Sequence, residues 1–133
     1  LSACTGSMLH LVKPLGFDMD DAKLRRAGLD YHDLAHVMVH ESLDDALAQV
    51  PGRVWALTGH ASAMYSDVSY ADGDGLLFGR ESVGLSEEAM SHPRVEKRIR
   101  IHMREGVRSL NLANSASIVL YEAWRQLGFP GGV

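Results

Sequence analysis

The sequence predicts an α/β fold built on a mostly parallel sheet with helices on both faces. Strand-like and helix-like segments alternate along the 133 residues, as they do where helices connect parallel strands. The apolar runs "RVWALTG" and "GLLFG" are short and end in glycine, which is typical of strands buried on both faces. No repeat, low-complexity tract or linker interrupts this alternation, so we expect one domain over residues 1–133.

Most of the other predicted elements have a local signal for their start or end. "LHLVK" predicts a first strand, "DDAKLRRAG" predicts a helix that ends at Gly28, and "AHVMVH" predicts a second strand. "SLDDALAQV" predicts a helix with Ser42 as its N-cap, and "LSEEAM" predicts a short helix capped by Ser86. "RIRIHM" alternates as a strand does, and the apolar "NLANSASIVLYEAWRQLG" predicts a last helix from a cap near Asn111 to Gly128.

Three predicted strands are followed by loops that contain glycine or polar residues. These loops span residues 58–59, 79–81 and 103–109. Because ligands of open α/β sheets bind where parallel strands end, we expect the three loops to form one binding edge. No Walker loop, G-x-S-x-G elbow or Cys-x-x-Cys pair is present, which removes the usual support for NTPase, hydrolase and disulfide-redox functions. The glycines of "DGDGLLFG" precede a strand and indicate a turn.

Composition and charge argue against several classes of protein. The formal net charge is −4, so a nucleic acid would be bound through local basic patches rather than through bulk positive charge. Cys4 is the single cysteine, which fits a reducing compartment, and we expect a cytoplasmic protein. No apolar run approaches the roughly 20 residues of a membrane helix, and the first residues lack the pattern of a signal peptide.

Two segments leave alternatives open. His32, His36 and His40 are four residues apart, as metal ligands on a helix would be, but their segment alternates as a strand does. We therefore expect partly exposed strand histidines and no metal. The polar segment "REGVRSLNLANSAS" offers N–H groups and side-chain amides to a ligand. It also suits a simple helix entry capped by Asn111 or Ser109, and its residues alone do not decide between these roles.

Four segments together resemble one family. "FGRESVGLS" is similar to the F-G-x-E-x-x-G-L motif of SPOUT-superfamily 2′-O-ribose methyltransferases, and "IHMREGVRSLNLANSASIVLYEAWRQLGFPG" is similar to their final motif and last helix. "LVKPLGFDMDDAKLRRAGLDYHD" and "VSYADGDGLLFG" resemble the small TrmL type, which methylates the ribose 2′-hydroxyl of the wobble cytidine or uridine 34 of tRNA. The resemblance covers essentially the whole chain.

This resemblance implies a deep C-terminal trefoil knot that holds S-adenosylmethionine, chemistry that needs no metal, and a homodimer that binds the anticodon stem-loop of tRNA. It also implies a first strand and an arginine motif that would precede Leu1, so we expect an N-terminally truncated domain. The implied function is methylation at nucleotide 34. The alternative is a knotted domain that binds cofactor or RNA without methylating, because the arginine of that motif is the proposed base in related enzymes.

The last predicted helix is apolar on more than one face. Ile118, Val119, Tyr121, Ala123 and Trp124 do not fit a single stripe. Such a helix is buried on several sides, either in the core of the domain or in a dimer interface, and the homodimer implied by the resemblance agrees with the second.

The resemblance also assigns the site residues. The implied cofactor pocket is lined by Leu57, Gly79, Ile101 and Ser109, with neighbouring main chain binding adenine and ribose. Gly84 would permit the bend of the knot. The expected catalytic residues match motif positions around substrate and cofactor and are Glu81, Ser109 and Asn111. Turn geometry and helix capping are their alternative roles.

The residues expected to contact tRNA are basic or aromatic. Arginine forms bidentate bonds to phosphate, and tyrosine or histidine stacks on an unpaired base. The expected set is Arg25, Arg26, Tyr31, His32, Arg104 and Arg108. Solvated surface charge is the alternative for the arginines, and it is the expected role of Arg94, Lys97, Arg98 and Arg100.

Overall fold

The computed structural model describes residues 1–13, 36–80, 83–107 and 110–133. The chain folds as two compact units, residues 1–49 with 131–133 and residues 50–130. The predicted helix "DDAKLRRAG" lies outside the described residues. Within the described residues, we find no helix with the length and apolarity that a membrane span needs.

The first unit contains a pair of parallel strands. Its elements are α1 (Ser2–Thr5), β1 (Leu9–Val12), β2 (Val37–His40) and α2 (Leu43–Leu47). Leu9 lies opposite Val37 in the β1–β2 register. The hydroxyl of Ser42 accepts a bond from the main-chain N–H of Asp45 at 3.1 Å, which caps α2. Both strands and this cap are therefore confirmed, whereas the single turn of α1 was not predicted.

A histidine pair joins the two strands of this unit. Nδ1 of His10 lies 2.8 Å from Nε2 of His40, and the rings are stacked with centroids 5.0 Å apart. His40 is 9% exposed, so the expectation of a partly exposed histidine is wrong for this residue. Burial is the main cause that lowers the pKa of His10, followed by the charge of His40. No group of three metal-ligand side chains occurs among the described residues.

The second unit contains a four-stranded parallel sheet. Its elements are β3 (Val54–Leu57), β4 (Ala63–Met64), β5 (Gly75–Leu77), α3 (Glu87–Met90), β6 (Val95–Arg100) and α4 (Leu112–Gln126). The strand order is β4-β6-β3-β5, and every pair is parallel. This confirms the predicted fold class, while the trefoil knot stays a prediction.

The predicted strand "RIRIHM" is displaced along the chain in the structure. β6 starts at Val95, three residues before this segment, and ends at Arg100. Its neighbours set this end, because Leu57 at the end of β3 pairs with Ile99 and Met64 at the end of β4 pairs with Arg100. Among the described residues, 101–103 therefore have no neighbouring strand with which to pair.

Helices lie on both faces of this sheet. Consecutive side chains of a strand point to opposite faces, and Ile99 packs with Val119 of α4 in the buried core. Arg98, on the other face, binds Glu87 of α3, with Nη2 to Oε1 at 2.8 Å. The predicted arrangement of helices on both faces is thus confirmed.

The core of the second unit fixes α4 against the sheet. Trp55, Tyr70, Ile99 and Val119 are buried together, and the rings of Trp55 and Tyr70 meet edge to face at 5.7 Å. The amide of Gln126 also accepts a bond from the Tyr70 N–H at 2.9 Å, and its Nε2 donates to the carbonyl of residue 68 at 3.0 Å. These contacts hold the middle and the C-terminal end of α4 against the second unit's core.

Candidate functional site

The carboxyl ends of β3, β5 and β6 lie at one edge of the sheet, which we call the carboxyl edge. Because the strands are parallel neighbours, Thr58, Gly79 and Ile101 follow them at this same edge. Leu57 and Ile101 are half-buried and pack against the same core cluster. Of the predicted site residues, this edge therefore brings Leu57, Gly79 and Ile101 together.

The other predicted site residues divide into two groups. Asn111 and Arg104 lie in the described part of the second unit. The remainder fall outside the described residues, and they are Arg25, Arg26, Tyr31, His32, Glu81, Arg108 and Ser109. Their roles stay predictions.

Gly79 lies against the chain of its own loop. A Cβ added at this position would collide with main-chain atoms of Gly84 and Leu85. The N–H of Gly84 donates to the carbonyl of Arg80 at 2.7 Å, and Gly84 has a φ of +70°. The chain thus returns onto Gly79, and Gly84 has the positive φ that this return requires. The close approach at Gly79 is to protein main chain.

The segment after β6 has main-chain groups without main-chain partners in the described part of the chain. Residues 101–107 form no helix or strand, and none of them makes a main-chain hydrogen bond to another described residue. Arg104 is exposed in this segment and has no ion pair within the described part of the chain. The ring of His102 packs edge to face on Tyr65 at 5.8 Å. The segment can therefore offer N–H and C=O groups to a ligand.

Asn111 has the geometry of a helix cap. Its Oδ1 accepts a bond from the main-chain N–H of Asn114 at 2.8 Å, with φ −66° and ψ 160° at Asn111. The sequence left ligand binding and helix capping open for this segment, and the structure supports helix capping for the Oδ1 of Asn111. Asn111 is exposed, and no described residue binds its amide nitrogen, which remains available to a ligand.

The basic residues around β6 are not a uniform solvated face. Arg94 donates from Nη2 to the carbonyls of Val50 at 2.7 Å and Gly52 at 2.9 Å, and Arg98 is bound to α3. Arg100, the last residue of β6, is partly buried, and its Nε is buried with no acceptor among the described residues. The position of Arg100 at the end of β6, two residues beyond Arg98, is the feature that sets it apart from the solvated residues and that we missed in the sequence.

A cavity of about 340 Å³ lies elsewhere in the second unit. Its walls are charged and aromatic, and they consist of Arg53, Trp55, Asp67, Val68, Ser69, Glu96 and Lys97. The guanidinium of Arg53 lies over the Trp55 ring, 4.9 Å from its centroid. None of the predicted site residues lines this cavity, so it is separate from the candidate site at the carboxyl edge.

Comparison with known proteins identifies the class to which this site belongs. The chain belongs to the SpoU rRNA Methylase family, whose sequence profile matches residues 1–121. The resemblance found in the motifs is therefore confirmed, and the carboxyl edge is the candidate site of a methyltransferase.

The chain is similar over its whole length to relatives that share one enzyme name. The chain is 49% identical over 134 residues to the tRNA (cytidine(34)-2′-O)-methyltransferase of Methylovorus glucosotrophus (strain SIP3-4), covering 100% of this chain and 87% of the relative. It is 48% identical over 134 residues to the enzyme of the same name from Escherichia coli (strain K12), covering 100% and 85%.

Solved structures show the same fold. One, described as giving structural insights into the 2-OH methylation of C/U34 on tRNA, is 42% identical with a TM-score of 0.80, covering 96% of this chain and 78% of that chain. An AdoMet-bound rRNA methyltransferase from Sinorhizobium meliloti is 26% identical with a TM-score of 0.78, covering 95% and 49%.

Proposed function

We propose that this chain transfers the methyl group of S-adenosylmethionine to the ribose 2′-hydroxyl of cytidine or uridine 34 in tRNA. The observation that carries the proposal is 48% to 49% identity, over the whole chain, with relatives named as tRNA (cytidine(34)-2′-O)-methyltransferases. The 42% identical structure, described for C/U34, supports both bases. Nothing in the described residues favours the alternative of a domain that binds without methylating.

The carboxyl edge fits S-adenosylmethionine. Residues 101–107 leave main-chain donors and acceptors without main-chain partners in the described part of the chain, and a purine and a ribose require such groups. Leu57 and Ile101 supply an apolar wall, and the buried Nε of Arg100 is a donor that has no acceptor there. We assign Leu57, Gly79 and Ile101, together with Ser109, to the residues that hold the cofactor.

When bound, S-adenosylmethionine supplies a methyl group on a positively charged sulfonium. Methyl transfer forms a carbon–oxygen bond to the 2′-oxygen, breaks the carbon–sulfur bond and releases the hydroxyl proton. Since the reaction needs positioning above all, the tight packing of Gly79 on its own loop supports an ordered site. We assign Glu81, Ser109 and Asn111 to orient the 2′-hydroxyl. Of the three side chains, the carboxylate of Glu81 is the one basic enough to accept the hydroxyl proton.

The proposed tRNA contacts are local because the chain carries a net charge of −4. Arg104 is exposed at the carboxyl edge and has no described partner, which suits a phosphate contact. Arg25, Arg26, Tyr31, His32 and Arg108 complete the proposed surface. With few phosphate contacts, binding of tRNA should be modest and should weaken as salt is added.

We also propose that the chain acts as a homodimer in the cytoplasm, where its tRNA substrate is found. The exposure of α4 supports the dimer. Val119 is the fully buried residue of this helix, whereas Tyr121 is 42% exposed and Leu112 is 37% exposed. An apolar helix that covers the sheet with one face and leaves large side chains exposed on others suits a second copy of the chain.

The test is incubation of the 133-residue chain with S-adenosylmethionine and undermethylated tRNA, followed by mass-spectrometric mapping of 2′-O-methylated nucleosides. We expect one new methyl group, at nucleotide 34. The matched control is the same tRNA with a 2′-deoxynucleotide at position 34, which has no hydroxyl to methylate. Methylation at another nucleotide would contradict the proposed position. Cofactor binding without methylation of any tRNA would support the binding-only alternative.

A further inference from the structure

Among the described arginines of the second unit, Arg100 is the one that is partly buried and has no side-chain partner. Arg53, Arg94, Arg98 and Arg125 each have carboxylate or carbonyl partners, for example the 2.8 Å pair between Arg125 and Glu122. The side chain of Arg100 makes no ion pair or hydrogen bond within the described part of the chain, although the residue is partly buried and its Nε is fully buried. Arg104 also lacks a described partner but is exposed.

The register of the sheet explains why Arg100 is not neutralised within the sheet. Met64 of β4 lies directly opposite it, and Thr58 follows the β3 residue that pairs with Ile99. Neither neighbour carries a negative charge. Glu87, the carboxylate bound to this face of β6, is already engaged with Arg98 at 2.8 Å. A partly buried guanidinium without an acceptor is costly, and such a group calls for a partner.

We infer that Arg100 is an oxyanion-binding residue of the carboxyl edge, which takes either the carboxylate of S-adenosylmethionine or a phosphodiester of the tRNA. This inference rests on the proposed function, because that reaction brings both oxyanions to this edge. Arg100 directly precedes residues 101–107, whose main chain has no main-chain partner among the described residues. Arg104, four residues later, adds a second cation with no ion pair to a described residue. Arginine binds both oxyanions with two parallel bonds.

The inference is tested with Arg100→Gln in the full 133-residue chain. Glutamine keeps the aliphatic start of the arginine side chain, so much of the packing is retained while the guanidinium is removed. The matched control is Lys97→Gln, which removes an exposed cation from the same strand on the opposite face. Affinities are measured for S-adenosylmethionine, for 5′-methylthioadenosine, which has no carboxylate, and for tRNA over a range of salt concentrations.

We expect Arg100→Gln to lower the affinity for one of the two ligands about tenfold or more, as the loss of a charged hydrogen bond does. Lys97→Gln should change neither affinity by more than about twofold. If Arg100 binds the carboxylate, the affinity for S-adenosylmethionine falls, while the affinities for 5′-methylthioadenosine and tRNA do not change. If Arg100 binds a phosphodiester, the affinity for tRNA falls, and the magnitude of the slope of log affinity against log salt concentration decreases by about 0.7 to 0.9.

Three results would overturn the inference. The first is a folded Arg100→Gln protein that binds both ligands as the wild type does, and the second is an equal loss in Lys97→Gln. The third is a Tm for Arg100→Gln well below that of the wild type, because an unpartnered guanidinium should not support the fold. Wild-type methylation at nucleotide 34, measured in parallel, separates failure of this inference from failure of the proposed function.

Discussion

Replacement of Gly79 by alanine tests how the loop after β5 is built. The added Cβ would collide with main-chain atoms of Gly84 and Leu85. A side chain can rotate away from a collision, but main chain moves only with its loop. The loop must therefore open, and the 2.7 Å bond from the Gly84 N–H to the Arg80 carbonyl must lengthen or break.

The cost can be worked from these contacts. Loss of one main-chain hydrogen bond removes about 1 kcal/mol, and forcing an extra methyl group into packed main chain costs about 1–3 kcal/mol. Gly79→Ala should therefore lower the free energy of unfolding by about 2–4 kcal/mol. For a chain of 133 residues, each kcal/mol moves the Tm by roughly 4 °C, so the expected decrease is about 8–16 °C.

Urea and thermal unfolding measure this loss, with Gly59→Ala as the matched control. Gly59 follows β3 at the same edge, but a Cβ there would meet nothing within 4 Å. We expect the control to lie within about 0.5 kcal/mol of the wild type. The affinity for S-adenosylmethionine, measured below both transitions, should fall in Gly79→Ala because the loop has moved. A Gly79→Ala protein as stable as the control would refute the close approach.

Three further predictions concern polar groups. Asp74→Asn should lower the free energy of unfolding by about 1–3 kcal/mol in urea at pH 7, because its 6% exposed carboxylate accepts three hydrogen bonds. Burial alone would raise the pKa of Asp74, but these bonds and the charge of Arg53 lower it. Its contribution should thus be complete above about pH 4 and lost as the pH falls through the lowered pKa, a dependence that the variant lacks. Asn111→Ala should cost about 1 kcal/mol of stability by removing the cap, whereas Asn111→Ser keeps it. Slower methyl transfer by a fully stable Asn111→Ser protein would support a catalytic role for Asn111. An unchanged rate of methyl transfer would mean that Asn111 serves only as the helix cap. Burial and then the charge of His40 lower the pKa of His10, so Tm should decrease as the pH falls below about 6.5; His10→Gln should remove most of this slope, and an unchanged slope would exclude the pair as its source.

Local signals were sufficient for the elements whose ends depend on nearby residues. Ser42, Ser86 and Asn111 each cap the helix expected of them, because an N-cap bond reaches only three residues along the chain. Gly128 ends α4 with a φ of +86°, where an L side chain would be strained. The α/β class also followed from the sequence, since apolar runs alternate with these helices.

Features set by distant partners were not predictable in this way. The two residues of β4 form a strand only because β6 lies beside them. His40 is buried because it pairs with His10, 30 residues away. Arg98 and Arg100 look equivalent in "RIRIHM", and only the position of Glu87 distinguishes the paired arginine from the unpaired one. For the same reason, composition suggested a solvated face where the structure has one guanidinium bound to Glu87 and one without a partner among the described residues.

The two ends of the four-stranded sheet use their polar groups differently. Arg53, Asp74 and Arg94 each immediately precede a strand at the amino edge, and their side chains bind one another or main-chain groups of the neighbouring loops. At the carboxyl edge, the main chain of residues 101–107 and the cations of Arg100 and Arg104 have no such partners in the described part of the chain. Hydrogen bonds made within the protein stabilise its fold, whereas groups left unpaired lower stability until a ligand binds them. It follows that substitutions at the amino edge should lower stability first, and substitutions of Arg100 or Arg104 should lower binding first.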